Sequence, residues 1–194
     1  MECGGGDERD GVGFVEGFVN SNVRIHFGGG LTPDDNDNSG VMSHVSIRHS
    51  GSIVGGANEI QGLTLGSVGR GTKLDHIEII SSDDDGIEIF GGSVDLKYVA
   101  CLYVADDMID WDLGWNGRMQ YVFGVQPPNS VVACADNGFE SDGDNGSAGP
   151  IKSNPIVYNV TMIGNASTAQ SCDNSAHAAI EFKDRTDGEI ANSI

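Results

Sequence analysis

Two short runs repeat in step at an offset of 22 residues, apolar and polar residues alternate inside each run, and glycines separate the runs. Together these predict an all-β chain, a right-handed parallel β-helix of about five coils. Leu74-Asp-His-Ile-Glu-Ile79 aligns with Leu96-Lys-Tyr-Val-Ala-Cys101, and Asp84-Asp-Gly-Ile-Glu-Ile89 with Asp106-Asp-Met-Ile-Asp-Trp111. A sheet of hairpins has no reason to hold such an offset; a coil returning beneath itself does.

The elements follow in chain order. Residues 1–38 are expected to form an irregular, Gly- and Asp-rich lead-in or an incomplete first coil around Val23-Arg-Ile-His-Phe27, and residues 39–194 the β-helix. His44-Val-Ser-Ile-Arg-His49 and Gly62-Leu-Thr-Leu65 give the first pair of strands. The two aligned pairs supply the second and third coils. Met119-Gln-Tyr-Val122 and, after an insertion at Gln126–Ser130, Asp136-Asn-Gly-Phe-Glu-Ser141 give the fourth. Tyr158-Asn-Val-Thr-Met162 and Ala179-Ile-Glu-Phe-Lys183 give the last. Equivalent strands of successive coils should pair about 4.8 Å apart. Inward ladders then run through Ile77, Val99 and Val122, and through Ile87, Ile109, Phe139 and Ile180. Gly66, Gly69, Gly71, Gly91, Gly92, Gly114 and Gly117 sit between strands, where positive backbone angles are expected. Glu189-Ile-Ala-Asn-Ser-Ile194 reads as the start of another strand, so the chain is expected to be a piece of a longer solenoid.

Composition agrees with many tight corners: glycine makes up 29 of 194 residues, and aromatics 7%. The formal charge of −19 repels nucleic-acid phosphates and anionic lipid, which leaves cations and neutral sugars as partners. No apolar run is long enough to span a bilayer, and no export signal is present in the chain. Cys3, Cys101, Cys134 and Cys172 have no zinc spacing. Cys134 and Cys172 each precede a strand and could form a disulfide between neighbouring coils, or stay buried as free thiols.

The run Asp37–Gly51, then Asn58-Glu-Ile-Gln-Gly-Leu-Thr-Leu-Gly66, Gly69-Arg-Gly-Thr72, Asp84-Asp-Gly-Ile-Glu-Ile-Phe-Gly-Gly92 and Lys97-Tyr98 resembles the right-handed parallel β-helix repeat proteins of bacterial envelopes and secretomes. The resemblance covers most of residues 37–194 and implies a fold and a secreted or outer-surface setting. It carries over no catalytic residue, because β-helices host lyases, hydrolases, adhesins and scaffolds alike.

Chemistry is expected on acids. Glu88, Asp110, Glu140 and Glu181 share one repeat position opposite the inward residues and should stack outward, near enough to repel one another unless bases or cations intervene. Lys97, Arg118, Lys183 and Arg185 are the available bases. Asp83, Asp84, Asp85, Asp106, Asp107 and Asp136 gather at corners; aspartate is common in turns, but oxygen-rich corners also suit Ca²⁺. Asp35-x-Asp37-x-Ser39-Gly40 begins like a calcium loop but has Ser46 where a bidentate Glu is required, and Asp142-Gly-Asp-Asn-Gly146 is a further acidic loop.

Were the protein an enzyme, Asp107 with Asp110 or Asp112 would be the carboxylate pair, and Arg118 or Lys97 the base of an elimination beside Ca²⁺. His44 and His76 share a repeat position, as a structural ladder would. Trp111 is expected to be buried, whereas Trp115, at a glycine corner, is expected to be exposed and to bind ligand together with Glu88, Asp110 and Glu140. Tyr98, Tyr103 and Tyr121 could offer faces to sugar rings. The leading expectation is a non-catalytic secreted or surface module for glycan binding or adhesion, with Ca²⁺ as stabiliser. The rivals are a polysaccharide lyase or glycoside hydrolase, and a structural spacer.

Overall fold

The computed structural model describes residues 12–15, 18, 23–29, 32–55, 58–128, 135–143, 152–165 and 178–194. In chain order the strands are β1 (Gly13–Phe14), β2 (His26–Phe27), β3 (Val41–Arg48), β4 (Ile53–Gly55), β5 (Asn58–Glu59), β6 (Leu63–Gly66), β7 (Lys73–Ile80) and β8 (Ile87–Phe90). They continue with β9 (Asp95–Leu102), β10 (Ile109–Asp112), β11 (Arg118–Val125), β12 (Phe139–Ser141), β13 (Ile156–Ile163), β14 (Ile180–Phe182) and β15 (Glu189–Ala191). Two parallel sheets result, ordered β15-β13-β11-β9-β7-β3 and β14-β12-β10-β8-β6. The chain is a right-handed parallel β-helix in which each coil supplies one long and one short strand. Among the described residues no helix is long and apolar enough to cross a membrane.

Register follows the repeat. Ile77 pairs with Val99 and Val99 with Val122, while Ile87, Ile109, Phe139 and Ile180 are partners in sequence down the short-strand sheet. Ile77, Ile87, Ile109 and Phe139 are at most 1% exposed, so these ladders are the core. Each such side chain contributes about 1.5–3 kcal/mol through burial, and only a neighbouring coil can cover it.

The long strands bend once. His44, His76, Tyr98, Tyr121 and Asn159 hold φ of 57°, 53°, 60°, 62° and 61°, and each is followed by Val or Ile and has an apolar residue two places earlier. One residue in the left-handed region breaks the alternation, so Leu74 and Ile77 both point inward from either side of His76. The two arms of each long strand and the short strand thereby enclose the core on three sides. The ring-bearing corners stack: His44 on His76 at 4.3 Å, His76 on Tyr98 at 4.5 Å and Tyr98 on Tyr121 at 5.1 Å. The structural ladder expected of the two histidines extends through two tyrosines.

The corner glycines serve two purposes. Gly91, Gly92 and Gly114 have φ of 65°, 84° and 85°, as expected. Gly66 and Gly117 do not adopt positive φ and instead leave space, for the Phe27 ring and for Trp115 Nε1 with the Val94 carbonyl. Gly86 is of the second kind: a Cβ there would run into the Met108 carbonyl and approach Cys101 Sγ at 3.0 Å. Gly86→Ala is expected to destabilise by about 1–3 kcal/mol, read by denaturant unfolding.

The lead-in does not add a coil at residues 23–27. β2 pairs with β1 antiparallel, and Phe27 stacks on Phe90 at 5.8 Å, on the outer side of the short-strand sheet. Ser93 Oγ and the Arg70 amide both donate to the Asp35 carbonyl, at 2.7 and 2.8 Å, which fastens the lead-in to a corner. Cys134 and Cys172 lie outside the described residues, while Cys101 is a buried free thiol that burial pushes up to about 12.

Candidate functional site: the acid face

The outward side of the short-strand sheet carries the predicted acids in register. Glu88 pairs with Asp110, Asp110 with Glu140 and Glu140 with Glu181. They stack outward as expected, but the first two members of the column are enclosed rather than solvated: Glu88 is 3% and Asp110 7% exposed. Asp112 and Asp142 are buried on the same face, and Lys183 reaches it from the last coil, with Nζ 2.6 Å from Glu140 Oε1 and 3.5 Å from Asp142 Oδ2. Arg118 and Lys97 turn elsewhere. Arg118 forms its ion pair with Asp95, and Lys97 Nζ lies over the Tyr98 and Tyr121 rings, 5.2 and 5.4 Å from their centroids. Arg118 therefore does not join Asp107, Asp110 and Asp112 as an elimination base.

The corner aspartates divide by role. Asp85 Oδ1 accepts the Asp107 amide at 3.0 Å, Asp107 Oδ1 the Asn137 amide at 2.5 Å, and Asn137 Oδ1 the Ala178 amide at 2.9 Å. Each side chain thus caps the backbone of the next coil rather than its own, and Asp112 Oδ1 accepts the Leu113 amide at 2.5 Å. Because Asn137 already performs this task, Asp107→Asn is expected to fold with the ladder intact. Asp107→Ala, which strands the Asn137 amide, should lose about 1–3 kcal/mol in the same unfolding measurement.

Electrostatics are those of too many carboxylates and too little water. Burial first, then the charges of Asp110, Glu88 and Asp107, push Asp85 well above the usual carboxylate range. Asp110 is raised likewise, by burial and then by Glu88 and Glu140. Burial and the nearby Glu140 and Asp106 charges lift Asp107 to about 8, against the pull of the Asn137 amide. Asp142 rises to about 7, mainly through burial, although Lys183 draws it down. Burial disfavours the Lys183 ammonium, yet Glu140, Asp142 and Asp110 more than offset this and hold it charged.

Among the described residues, oxygen atoms converge in four overlapping sets, each with one atom per residue and all within 4.8 Å: Asp84, Asp85 and Asp106; Asp106, Asp107 and Asp136; Asp85, Glu88 and Asp110; and Asp110, Glu140 and Asp142. The structure thus joins five of the six corner aspartates, leaves the exposed Asp83 out, and adds Glu88, Asp110, Glu140 and Asp142. Asp110 and Asp142 each have one buried oxygen, Oδ1, that accepts no hydrogen bond among the described residues. A hard divalent cation satisfies such oxygens, since Ca²⁺ takes six to eight of them in loose geometry.

A family model described as a pectate-lyase-like beta helix domain matches residues 11–194. The chain belongs to that family. No curated protein and no solved structure matches it. Within this pectate-lyase-like domain Asp107 groups with Asp106 and Asp136, whereas Asp110 groups with Glu88 and Glu140, so the carboxylates suggested as an enzyme's pair fall in different sets.

The exposed position expected for Trp115 is also corrected. Its ring is fully buried 5.5 Å from Trp111, with Nε1 donating to the Val94 carbonyl at 3.1 Å, because Gly117 leaves room for the indole to turn inward. Trp115 therefore offers no face to a sugar. Tyr98 and Tyr121 are 42% and 44% exposed but stacked on one another, so they present edges and hydroxyls rather than open faces. The domain's Asp35–Gly40 segment is a turn: Asp34 Oδ1 accepts the Asn36 amide at 2.9 Å and Asn38 Oδ1 the Gly40 amide at 2.8 Å.

Proposed function

We propose that the domain is a non-catalytic module of a secreted or cell-surface protein, stabilised by Ca²⁺ on its acid face, that binds glycans along its outer surface. The observation that carries this reading is the burial of the acids: Glu88, Asp110, Asp112 and Asp142 are 3–7% exposed. A sugar ring cannot reach oxygens so enclosed, whereas an ion can, and carboxylates so placed need protons or cations to balance them. Glycan binding is then left to the exposed row of Tyr98, Tyr121 and Phe123, where hydroxyls, Lys97 and apolar edges are available.

A glycan array in calcium buffer tests the binding part. Binding that falls at least tenfold in Tyr98→Ala with Tyr121→Ala supports it, and a blank array removes it. A carbohydrate-active enzyme, lyase or hydrolase, is the second reading, favoured by the family's description and by carboxyls at about 7 and 8, which exchange protons near neutrality. It requires product release from acidic or neutral polysaccharides that is lost in Asp110→Ala while the fold is kept. A spacer without ligand would leave both assays blank.

A further inference from the structure

At the bend of two adjacent long strands, β3 and β7, four polar atoms form an unbroken hydrogen-bonded chain. His44 Nδ1 lies 2.9 Å from Ser43 Oγ, Ser43 Oγ donates to Asp75 Oδ1, and Asp75 Oδ1 lies 2.8 Å from His76 Nδ1. The strands are in register here, Ser43 opposite Asp75, and the two imidazoles are stacked at 4.3 Å with an angle of 9° between their planes. One ring nitrogen from each histidine and one Asp75 oxygen lie within 4.8 Å of one another. Asp75 is 15% exposed and His76 45%, so the carboxylate forms the floor of the cluster and the imidazoles its open rim.

We propose that His44, His76 and Asp75 bind one borderline divalent metal ion of the Zn²⁺, Ni²⁺ or Cu²⁺ class, leaving a coordination position open to solvent. The inference is independent of calcium on the acid face, since two imidazoles and a carboxylate select transition metals where an all-oxygen set selects Ca²⁺. The entering ion takes the place of the hydrogen between His76 Nδ1 and Asp75 Oδ1; in the neutral imidazole the ring's one N–H hydrogen is then carried on Nε2, exchanged through solvent, so His76 binds as a neutral ligand. A tetrahedral ion with bonds of about 2.0 Å spaces its ligands by roughly 3.3 Å, which rotation of the rim imidazoles supplies. Lys73 Nζ, 3.0 Å from Asp75 Oδ2, holds the second carboxylate oxygen and keeps the first turned to the rings. Hydrogen bonds from Ser43, His76 and Lys73, in that order, also hold the Asp75 carboxyl far below its usual range, so it is ready as an anionic ligand.

The repeat itself supplies the control. Tyr98 and Tyr121 occupy the equivalent corner of the next two coils with φ of 60° and 62°, so His44→Tyr and His76→Tyr retain both the backbone conformation and the ring stack. Calorimetric titration of the protein with Zn²⁺ should show one equivalent bound, weakened at least tenfold by His44→Tyr, His76→Tyr or Asp75→Asn, and undisturbed by excess Ca²⁺. In the unsubstituted protein, substoichiometric Cu²⁺ should broaden the imidazole NMR signals of His44 and His76 before those of the other histidines. Absence of Zn²⁺ uptake, uptake unchanged in the double tyrosine variant, displacement by Ca²⁺, or uniform broadening of all histidines would each overturn the assignment and leave a ring stack only.

Discussion

In chelator, the protein is expected to lose stability as the pH rises from about 5 to about 8, and calcium is expected to flatten that dependence. The sign follows from Asp107, whose carboxyl is raised to about 8 in the folded protein and has an ordinary value of about 3.9 when unfolded. Between those limits the folded state keeps the proton and the unfolded state has lost it. Stability therefore falls by about 1.4 kcal/mol per pH unit for each such group until the folded value is passed. Asp142 adds to the fall up to pH about 7, and Asp85 and Asp110 act in the same direction.

Calcium replaces the protons as counter-charge. At pH 8, calcium at 100 to 1,000 times its dissociation constant adds about 2.7–4.1 kcal/mol, or a rise in Tm of roughly 5–15 °C for a chain of this size. At pH 5 protons compete and the rise should be smaller. Thermal unfolding followed by circular dichroism at both pH values, with calcium and with chelator, measures this directly. Asp110→Asn should raise the chelator Tm at pH 8 and remove most of the calcium increment, because Asp110 belongs to two of the four oxygen sets. A flat profile in chelator would mean that the acids are solvated, and an unmoved Tm at pH 8 would take calcium out of the proposed function.

The second large effect is mechanical. Phe139→Ala is expected to destabilise by about 3–5 kcal/mol, lowering Tm by about 6–20 °C. Phe139 is fully buried, paired in register with Ile109 and Ile180, and 5.3 Å from the Trp111 ring, so its removal opens a cavity that spans a coil boundary. Phe123, on the outward side of β11 and 42% exposed, is the control: Phe123→Ala should change stability by less than about 1 kcal/mol. Equal losses at the two positions would contradict the three-sided core.

The fold was legible because a solenoid's long-range contacts are counted along the chain. The offset of 22 residues places Leu74 beside Leu96 and Ile87 beside Ile109, and those pairings are present. The acid column Glu88, Asp110, Glu140 and Glu181 was legible for the same reason. Two signals were readable but easily passed over. The residue that breaks the alternation, His76 or Tyr98, marks the bend of each long strand, and the aligned Asp85, Asp107 and Asn137 mark side chains that cap the next coil.

What periodicity could not give was the surroundings of the outward side. Alternation says that Asp110 points away from the core; it does not say whether water waits there. Only the tertiary structure decided that Glu88 and Asp110 are enclosed among Asp85, Glu140, Asp142 and Lys183, that Phe27 covers Phe90, and that Trp115 turns inward through the space left at Gly117. The physical reason is one of range. Register in a solenoid is set by a repeat length written into the chain, whereas burial, and with it the charge state of a carboxylate, is set by whichever distant side chains close over it.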